Sequence, residues 1–446
     1  MKNSDKAMWE KLIIFLVTGL ILIQGGFFED SYLLIGGCIA FLMLNEKQCF
    51  CGDTKLTFGI VAISAFCILY HLVVEKTFLV GYMLCFLIIY VLAMQRKDLL
   101  EMGIFYGIIV MEIIGMMAYS GIDIGGIVCN NRFMGTFQYA NTTAIILVFA
   151  IVYLKECNEK IYCRYQLLNY TFLFLTCSVG GIGSYILSSV YCLLKGKAPA
   201  KVWIKELMSV FVSLFIAAMV YLSVFVLNIN FLSIVFFTIA MVISWKWEEI
   251  TDKIIENLKH VKLILTIIGI IIVGVSVISF IFVISDRAIE TFKERIWQMQ
   301  DGLNVLKNNL FTGVGSDGWK NNLLTWRTHA YEVNIIHNSY LHIGVKYGIV
   351  ILVMMFLLSI YLLYCSRRWT KFRQVILYVG MLHAFFDIDF FFMGYCSFLL
   401  LDISEGKNIN EKKLEKKGGL LKSVFCGTVS FILLFNWLFV IVKKFR

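Results

Sequence analysis

Residues 12–27 read Leu12-Ile13-Ile14-Phe15-Leu16-Val17-Thr18-Gly19-Leu20-Ile21-Leu22-Ile23-Gln24-Gly25-Gly26-Phe27, directly after Lys2, Lys6 and Lys11. A basic start followed by an apolar run also begins a signal peptide. Gly25-Gly26-Phe27-Phe28-Glu29-Asp30 is a poor small-residue cleavage site, so the run is read as a retained first membrane span. Runs of roughly 18 or more apolar residues recur along the chain, the length needed to cross a bilayer as a helix. The weak alternation of a transmembrane barrel is absent, so the spans are expected to be helical. Composition agrees. Of 446 residues, 60% are hydrophobic and 16% charged, with a mean hydropathy of +0.81, more apolar surface than a soluble chain of this size can hide.

The net charge is +10. In a soluble protein this would suggest nucleic acid. Here Lys and Arg sit mostly in short segments between apolar runs, where they orient helices in the bilayer, and no nucleic-acid partner is expected. The positive-inside rule assigns to the cytoplasm Lys47 and Lys55, Arg96 and Lys97, Lys155, Lys160 and Arg164, then Lys195, Lys197, Lys201 and Lys205. Lys246, Lys253, Lys259 and Lys262 follow, then Arg367, Arg368, Lys371 and Arg373, and Lys407, Lys412, Lys413, Lys416 and Lys417. Tight turns such as Phe28-Glu29-Asp30-Ser31 and Asn228-Ile229-Asn230 fall outside. So do two longer segments, Tyr119 to about Gln138 and Ser285 to about Ser339. Leu167–Leu194 and Val375–Leu401 each lie between two inside segments and must cross twice or re-enter. A break at Ser178-Val179-Gly180-Gly181-Ile182-Gly183 marks the first as a hairpin of two short helices. The last span, Leu420–Val442, would end outside with Lys443, Lys444 and Arg446, against the charge rule. The expectation is an all-α polytopic membrane protein of one domain, about 12–15 transmembrane helices, with a large extracytoplasmic loop over 285–339. The 13 cysteines are scattered, with one Cys49/Cys51 pair, so neither a zinc site nor a disulfide framework is indicated.

Within the large loop, Ile289, Phe292, Ile296, Met299, Leu303, Leu306 and Leu310 recur at spacings of three and four. They form one stripe of an amphipathic helix over Asp286–Leu310, lying on the membrane surface or capping the bundle. Thr312-Gly313-Val314-Gly315-Ser316-Asp317-Gly318-Trp319 is glycine-rich, but it follows a helix on the outer face. A dinucleotide fingerprint needs a preceding strand, so that reading is rejected. His337-Asn338-Ser339-Tyr340-Leu341 opens the next span. It either caps that helix or places an imidazole where it can accept a proton near neutral pH. Arg132, in Asn131-Arg132-Phe133-Met134-Gly135-Thr136-Phe137 with Asn141 following, and Arg295, in Arg295-Ile296-Trp297, are outside cations. Each forms a surface ion pair or captures an anion in the forked geometry that suits phosphate. Trp297, Trp319, Trp326 and Tyr331 are candidate stacking faces for sugars. His383 and Asp387, four apart, would share a helical face. Ionisable groups at membrane depth either pair with each other or serve function.

The order of these pieces resembles the O-antigen ligase and polymerase superfamily of membrane glycosyltransferases: Arg-x-x-Gly-Thr-Phe with a following Asn, a Ser-Val-Gly-Gly hairpin centre, Arg-Ile-Trp, Gly-Val-Gly, His-Asn-Ser-Tyr-Leu and a late His-x-x-x-Asp. The resemblance is clearest from Arg287 to Gly348 and looser from Arg132 to Asp389. It implies transfer of a glycan carried on undecaprenyl diphosphate to an acceptor glycan, lipid or protein, at the outer face of the cytoplasmic membrane, with no cofactor and no metal. By similarity, His337 is the base for the acceptor hydroxyl and acts with Arg295. Arg132, Arg295 and Arg287 hold the diphosphate, and Asn338, His383 and Asp387 support them. Where the family often has Ser-Arg-Gly, this chain has Ser178-Val179-Gly180, one cation fewer, for which Lys293 or Arg287 would compensate. Two other classes compete. A transporter or flippase for a lipid-linked glycan should show two related halves, and no clear repeat is present. A membrane scaffold leaves Arg132, Arg295 and His337 without a reason.

Overall fold

The computed structural model describes residues 3–44, 54–77, 80–156, 165–196, 199–257, 289–403 and 419–444. Arg287, Cys49, Cys51, the loop start at 285–288 and the basic residues Lys47, Lys160, Arg164, Lys197, Lys259, Lys262 and Lys407–Lys417 lie outside the described residues. About 80% of the described residues are helical, in 18 helices. Five of the described helices are long and apolar enough to cross a membrane: Lys55–Val73, Lys97–Tyr119, Ala200–Val226, Ile349–Ser366 and Ser423–Lys444. A sixth span arises if the bent pair Phe231–Trp245 and Trp247–Glu256 is taken as one. Gly81–Gln95, Ala140–Leu154, Val179–Lys195 and Met393–Ile403 are apolar but shorter.

The chain divides into two compact units, Met1–Ile108 with Arg295–Arg446, and Ile109–Glu294, where the sequence suggested one domain. In the first unit, the helix Glu29–Met43 runs antiparallel to the C-terminal helix. Lys444 Nζ donates to Asp30 Oδ2 at 2.7 Å, and Ser430 Oγ donates to the carbonyl of Gly37 at 3.0 Å. Small residues make this closeness possible. A Cβ at Gly37 would stand 2.9 Å from Leu434 of the C-terminal helix, and one at Gly36 would stand 2.7 Å from the Cys85 sulfur of the neighbouring helix Gly81–Gln95. The basic tail therefore lies at the same end of this helix pair as the Phe28–Ser31 turn.

Both stretches that upset the span parity are broken. Helix Gln166–Leu175 stops, Cys177 takes a positive φ of 47°, and Val179–Lys195 begins with Ser178 as its N-cap. The Ser178 hydroxyl accepts from the Gly181 N–H, an interaction worth about 1 kcal/mol in comparable helices. Likewise helix Lys371–Phe386 gives way to a short turn at Asp389–Phe391 before Met393–Ile403. The second unit holds the one departure from an all-helical description among the described residues. Val128–Cys129 pairs with Arg132–Phe133 in an antiparallel hairpin. The two linking residues, Asn130 and Asn131, have φ of 52° and 59°, the left-handed pair that a two-residue hairpin requires and that asparagine tolerates.

The amphipathic helix is present over residues 289–308. Its stripe divides. Ile289, Phe292, Ile296, Leu303 and Leu310 are exposed, whereas Leu306 is buried with Val305, Gln298 and Asp301. A cluster of Val305, Leu306, Trp319, Leu323, Tyr331, Ile336, Leu341 and Val345 forms the core beneath the segment that leads to His337.

Candidate functional site

Asp387 organises the first candidate site. The helix Lys371–Phe386 ends before it, and its backbone is extended, φ −150° and ψ −179°. Its side chain therefore leaves the helical face on which it was expected to meet His383. Asp387 Oδ2 accepts from Arg295 Nη2 at 3.0 Å. Its Oδ1 accepts the Ile388 N–H at 2.9 Å and lies 3.4 Å from His337 Nδ1. Arg295 Nη1 also donates to the Phe386 carbonyl at 2.7 Å. Ser339 fixes the turn from the other side, its N–H and hydroxyl both donating to the Asp387 carbonyl, at 2.9 and 2.7 Å.

His383 has a different partner. Its Nδ1 lies 2.6 Å from Asp389 Oδ2, both groups buried. The expected His383–Asp387 pair is thus replaced by two pairs. One is sealed. The other is partly open, with the Arg295 and His337 side chains 18% and 22% exposed.

The electrostatics follow from this arrangement. Burial by itself would raise the Asp387 carboxyl, but the Arg295 guanidinium and the His337 hydrogen bond and charge outweigh it. They hold the carboxyl well below the usual carboxylate range. Nδ1 of His337 faces the Asp387 carboxylate across 3.4 Å, which holds the imidazole beside an anion. The carboxylate sets ring orientation and would stabilise the imidazolium formed.

Two further residues position the group. Gln298 sits one turn after Arg295, and its Oε1 accepts the His337 N–H at 3.1 Å. Arg295 and Gln298 thus clamp one helix edge onto the Phe386–Ile388 turn and the His337 backbone. Asn338 caps the helix Ser339–Tyr347, its side chain accepting from Leu341 N at 2.9 Å. Its support for His337 is conformational. Gln298 was not singled out in the sequence, where the one available signal was its three-residue spacing from Arg295, and Ser339 was quoted only as part of the His337–Leu341 motif.

Arg132 belongs to a second cluster, in the other unit. Its Nε donates to the Thr176 carbonyl at 2.8 Å and its Nη2 to Asn141 Oδ1 at 3.3 Å. That same oxygen accepts the Ser178 hydroxyl at 2.9 Å. The first-loop arginine, the asparagine after it and the serine of the hairpin centre therefore meet, although 46 positions separate Arg132 from Ser178 in the chain. Val179, next to Ser178, is 55% exposed.

The aromatic residues split. Trp319 and Tyr331 are core, 1% and 4% exposed, and cannot offer faces to a sugar. Tyr331 also donates to Asp301 Oδ2 at 2.7 Å. Trp297 stacks flat on His329, ring centres 4.1 Å apart and planes 2° apart, and Trp326 is half-buried. The glycine-rich segment is a staple. Ser316 Oγ donates to Glu75 Oε2 at 2.9 Å, and the Ser316 N–H also donates to that carboxylate. Burial pushes Glu75 up, and these Ser316 hydrogen bonds and the His71 charge bring it below its ordinary value.

No group of His, Cys, Asp and Glu among the described residues is arranged to hold a metal ion. No protein-family model matches the sequence, and no curated protein matches it at a significant level.

Proposed function

We propose that this protein is a multi-pass membrane glycosyltransferase that moves a glycan from a polyprenyl-diphosphate carrier, of the undecaprenyl type, to an acceptor hydroxyl at the outer face of the cytoplasmic membrane. The observation that carries the reading is Asp387 bound at once by Arg295 and His337. An acceptor hydroxyl attacks the anomeric carbon as the carbon–oxygen bond to the diphosphate breaks. His337 takes the hydroxyl proton, and Asp387 stabilises the resulting imidazolium. The leaving diphosphate gains negative charge, which a guanidinium in a partly dry site stabilises strongly. On this reading Arg295 serves the leaving group, and Arg132, in the other unit, is a diphosphate-binding candidate tested separately. The shorter apolar helices belong to the same membrane bundle, taken as 12–15 spans with the remaining apolar segments of the chain, and the exposed apolar residues of the 289–308 helix rest in the lipid headgroup region.

The test is a gel of lipid-linked and cell-surface glycans from a strain in which Arg295→Ala replaces the natural protein. Lipid-linked glycan should accumulate. Short uncapped chains would identify a polymerase, and long chains retained on the carrier a ligase. Normal surface glycan with a normally expressed variant would reject the proposal.

A further inference from the structure

Glu112 lies in the apolar helix Lys97–Tyr119, which is long enough to span a membrane. It is 1% exposed, and neither carboxyl oxygen has a hydrogen-bond partner among the described residues. Its surroundings on that helix are apolar. Phe133 of the hairpin and Phe172 of the helix Gln166–Leu175 pack against Gly115, one turn further on, so closely that a Cβ there would collide with both rings. The next polar group on the same face is the Tyr119 hydroxyl, two turns away, which is also buried without a partner. Among the described residues, no charged or titratable side chain acts on the Glu112 carboxyl.

The same unit contains a second glutamate in a spanning helix, Glu206, its side chain 13% exposed, and the contrast is informative. Glu206 Oε1 accepts Lys155 Nζ at 2.6 Å, Tyr170 OH at 2.9 Å and Ser189 Oγ at 3.1 Å. That is a structural carboxylate, paired and saturated with donors. Glu112 has none of this. It ties no described element to another, so no structural hydrogen bond among the described residues accounts for it. An anion with neither counter-charge nor donors is opposed by the full loss of hydration, and such a group takes up a proton instead. Ionisable residues in this position in membrane helices mark ion pathways and proton relays.

We propose that Glu112 is a proton-binding site within the membrane-spanning part of the protein, carrying its hydrogen ion in the conformation described here and exchanging it in a second conformation that water reaches. The inference is independent of glycan transfer. A proton exchanged at membrane depth is also what a transporter would need.

The test is infrared spectroscopy of the full chain in lipid nanodiscs at neutral pH. The unsubstituted protein should show the carbonyl stretch of a protonated carboxylic acid, lost in Glu112→Gln. That band should shift within hours of transfer into D2O. If Glu112→Gln does not fold, Glu112→Asp, which keeps the acid and moves its band, serves in its place. A spectrum in which neither variant alters a protonated-acid band would overturn the proposal, because Glu112 would then be ionised. A band that never shifts in D2O while the protein stays folded would overturn it equally, by showing a locked proton.

Discussion

Asp387 is the residue on which the candidate site turns, and its surroundings set two expectations. Its carboxyl is depressed in the folded protein, because Arg295 and His337 outweigh the effect of burial. A depressed carboxyl stabilises the fold fully above the unfolded value, about 4 for aspartate, and that contribution is lost as pH falls through the folded value. Thermal unfolding of the purified protein should therefore show a midpoint that drops between neutral pH and about pH 3. In Asp387→Asn this part of the drop should be missing, and an identical pH profile in the two proteins would refute the assignment. Removing the anion with Asp387→Ala leaves the partly buried Arg295 without its carboxylate partner, at a cost of about 2 kcal/mol. Arg295 sends separate nitrogens to the Phe386 carbonyl and the Asp387 carboxylate, a fork that lysine cannot reproduce. Arg295→Lys should thus behave like Arg295→Ala, with about a hundredfold loss of glycan transfer at near-normal expression. Recovery of most activity by lysine would show that charge alone suffices. The identities of Arg295, His337 and Asp387 were legible in the sequence, but their connectivity was not. Helical spacing favoured His383 with Asp387, and what decides against it is the helix end at Phe386, fixed by Ser339 from a distant segment.

At the scale of single elements, the hairpin Val128–Phe133 explains how Arg132 is aimed. Asn130 and Asn131 both hold positive φ, so the chain reverses in two residues and Arg132 faces Thr176 and Asn141. An Asn-Asn pair is a readable turn signal, but strands this short carry no periodicity, so the segment reads as a plain loop. Asn131→Gly should preserve the turn. Asn131→Val puts a β-branched residue in the left-handed region, at about 1–2 kcal/mol. Thermal unfolding would show this loss, and equal stability of the glycine and valine variants would exclude the strained-turn account. The 289–308 helix shows the opposite balance. Its amphipathic period was plain, yet the buried side carries Gln298 and Asp301, and much of the apolar stripe is exposed. Periodicity finds a stripe but not what covers it, and in a membrane protein lipid can take the place of a core. Trp319 and Tyr331 failed as sugar platforms for a related reason. Aromatic residues near an interface read alike whether they line a site or fill the small core behind His337.

For the molecule as a whole, sidedness separates an outer-face transferase from its alternatives. The charge pattern places the Tyr119–Gln138 segment outside, and the Lys443–Lys444 tail conflicts with that pattern. The pairing of Lys444 with Asp30 makes the conflict internally consistent, because tail and Phe28–Ser31 turn share one end of the helices that carry them. A single lysine pair closing on an acidic turn is offset locally, and a rule that counts basic residues without their partners misses it. Cys129 tests the side directly. It is exposed, at the tip of the hairpin and three residues before Arg132. In a variant whose other cysteines are replaced, a membrane-impermeant maleimide added to intact spheroplasts should label Cys129 as fully as it does after permeabilisation. Labelling that appears only after the membrane is opened would put Arg132 on the cytoplasmic face. A lipid-linked glycan displayed outside could not then reach it, and the diphosphate role assigned to this arginine would be lost even if Arg295 and His337 proved essential.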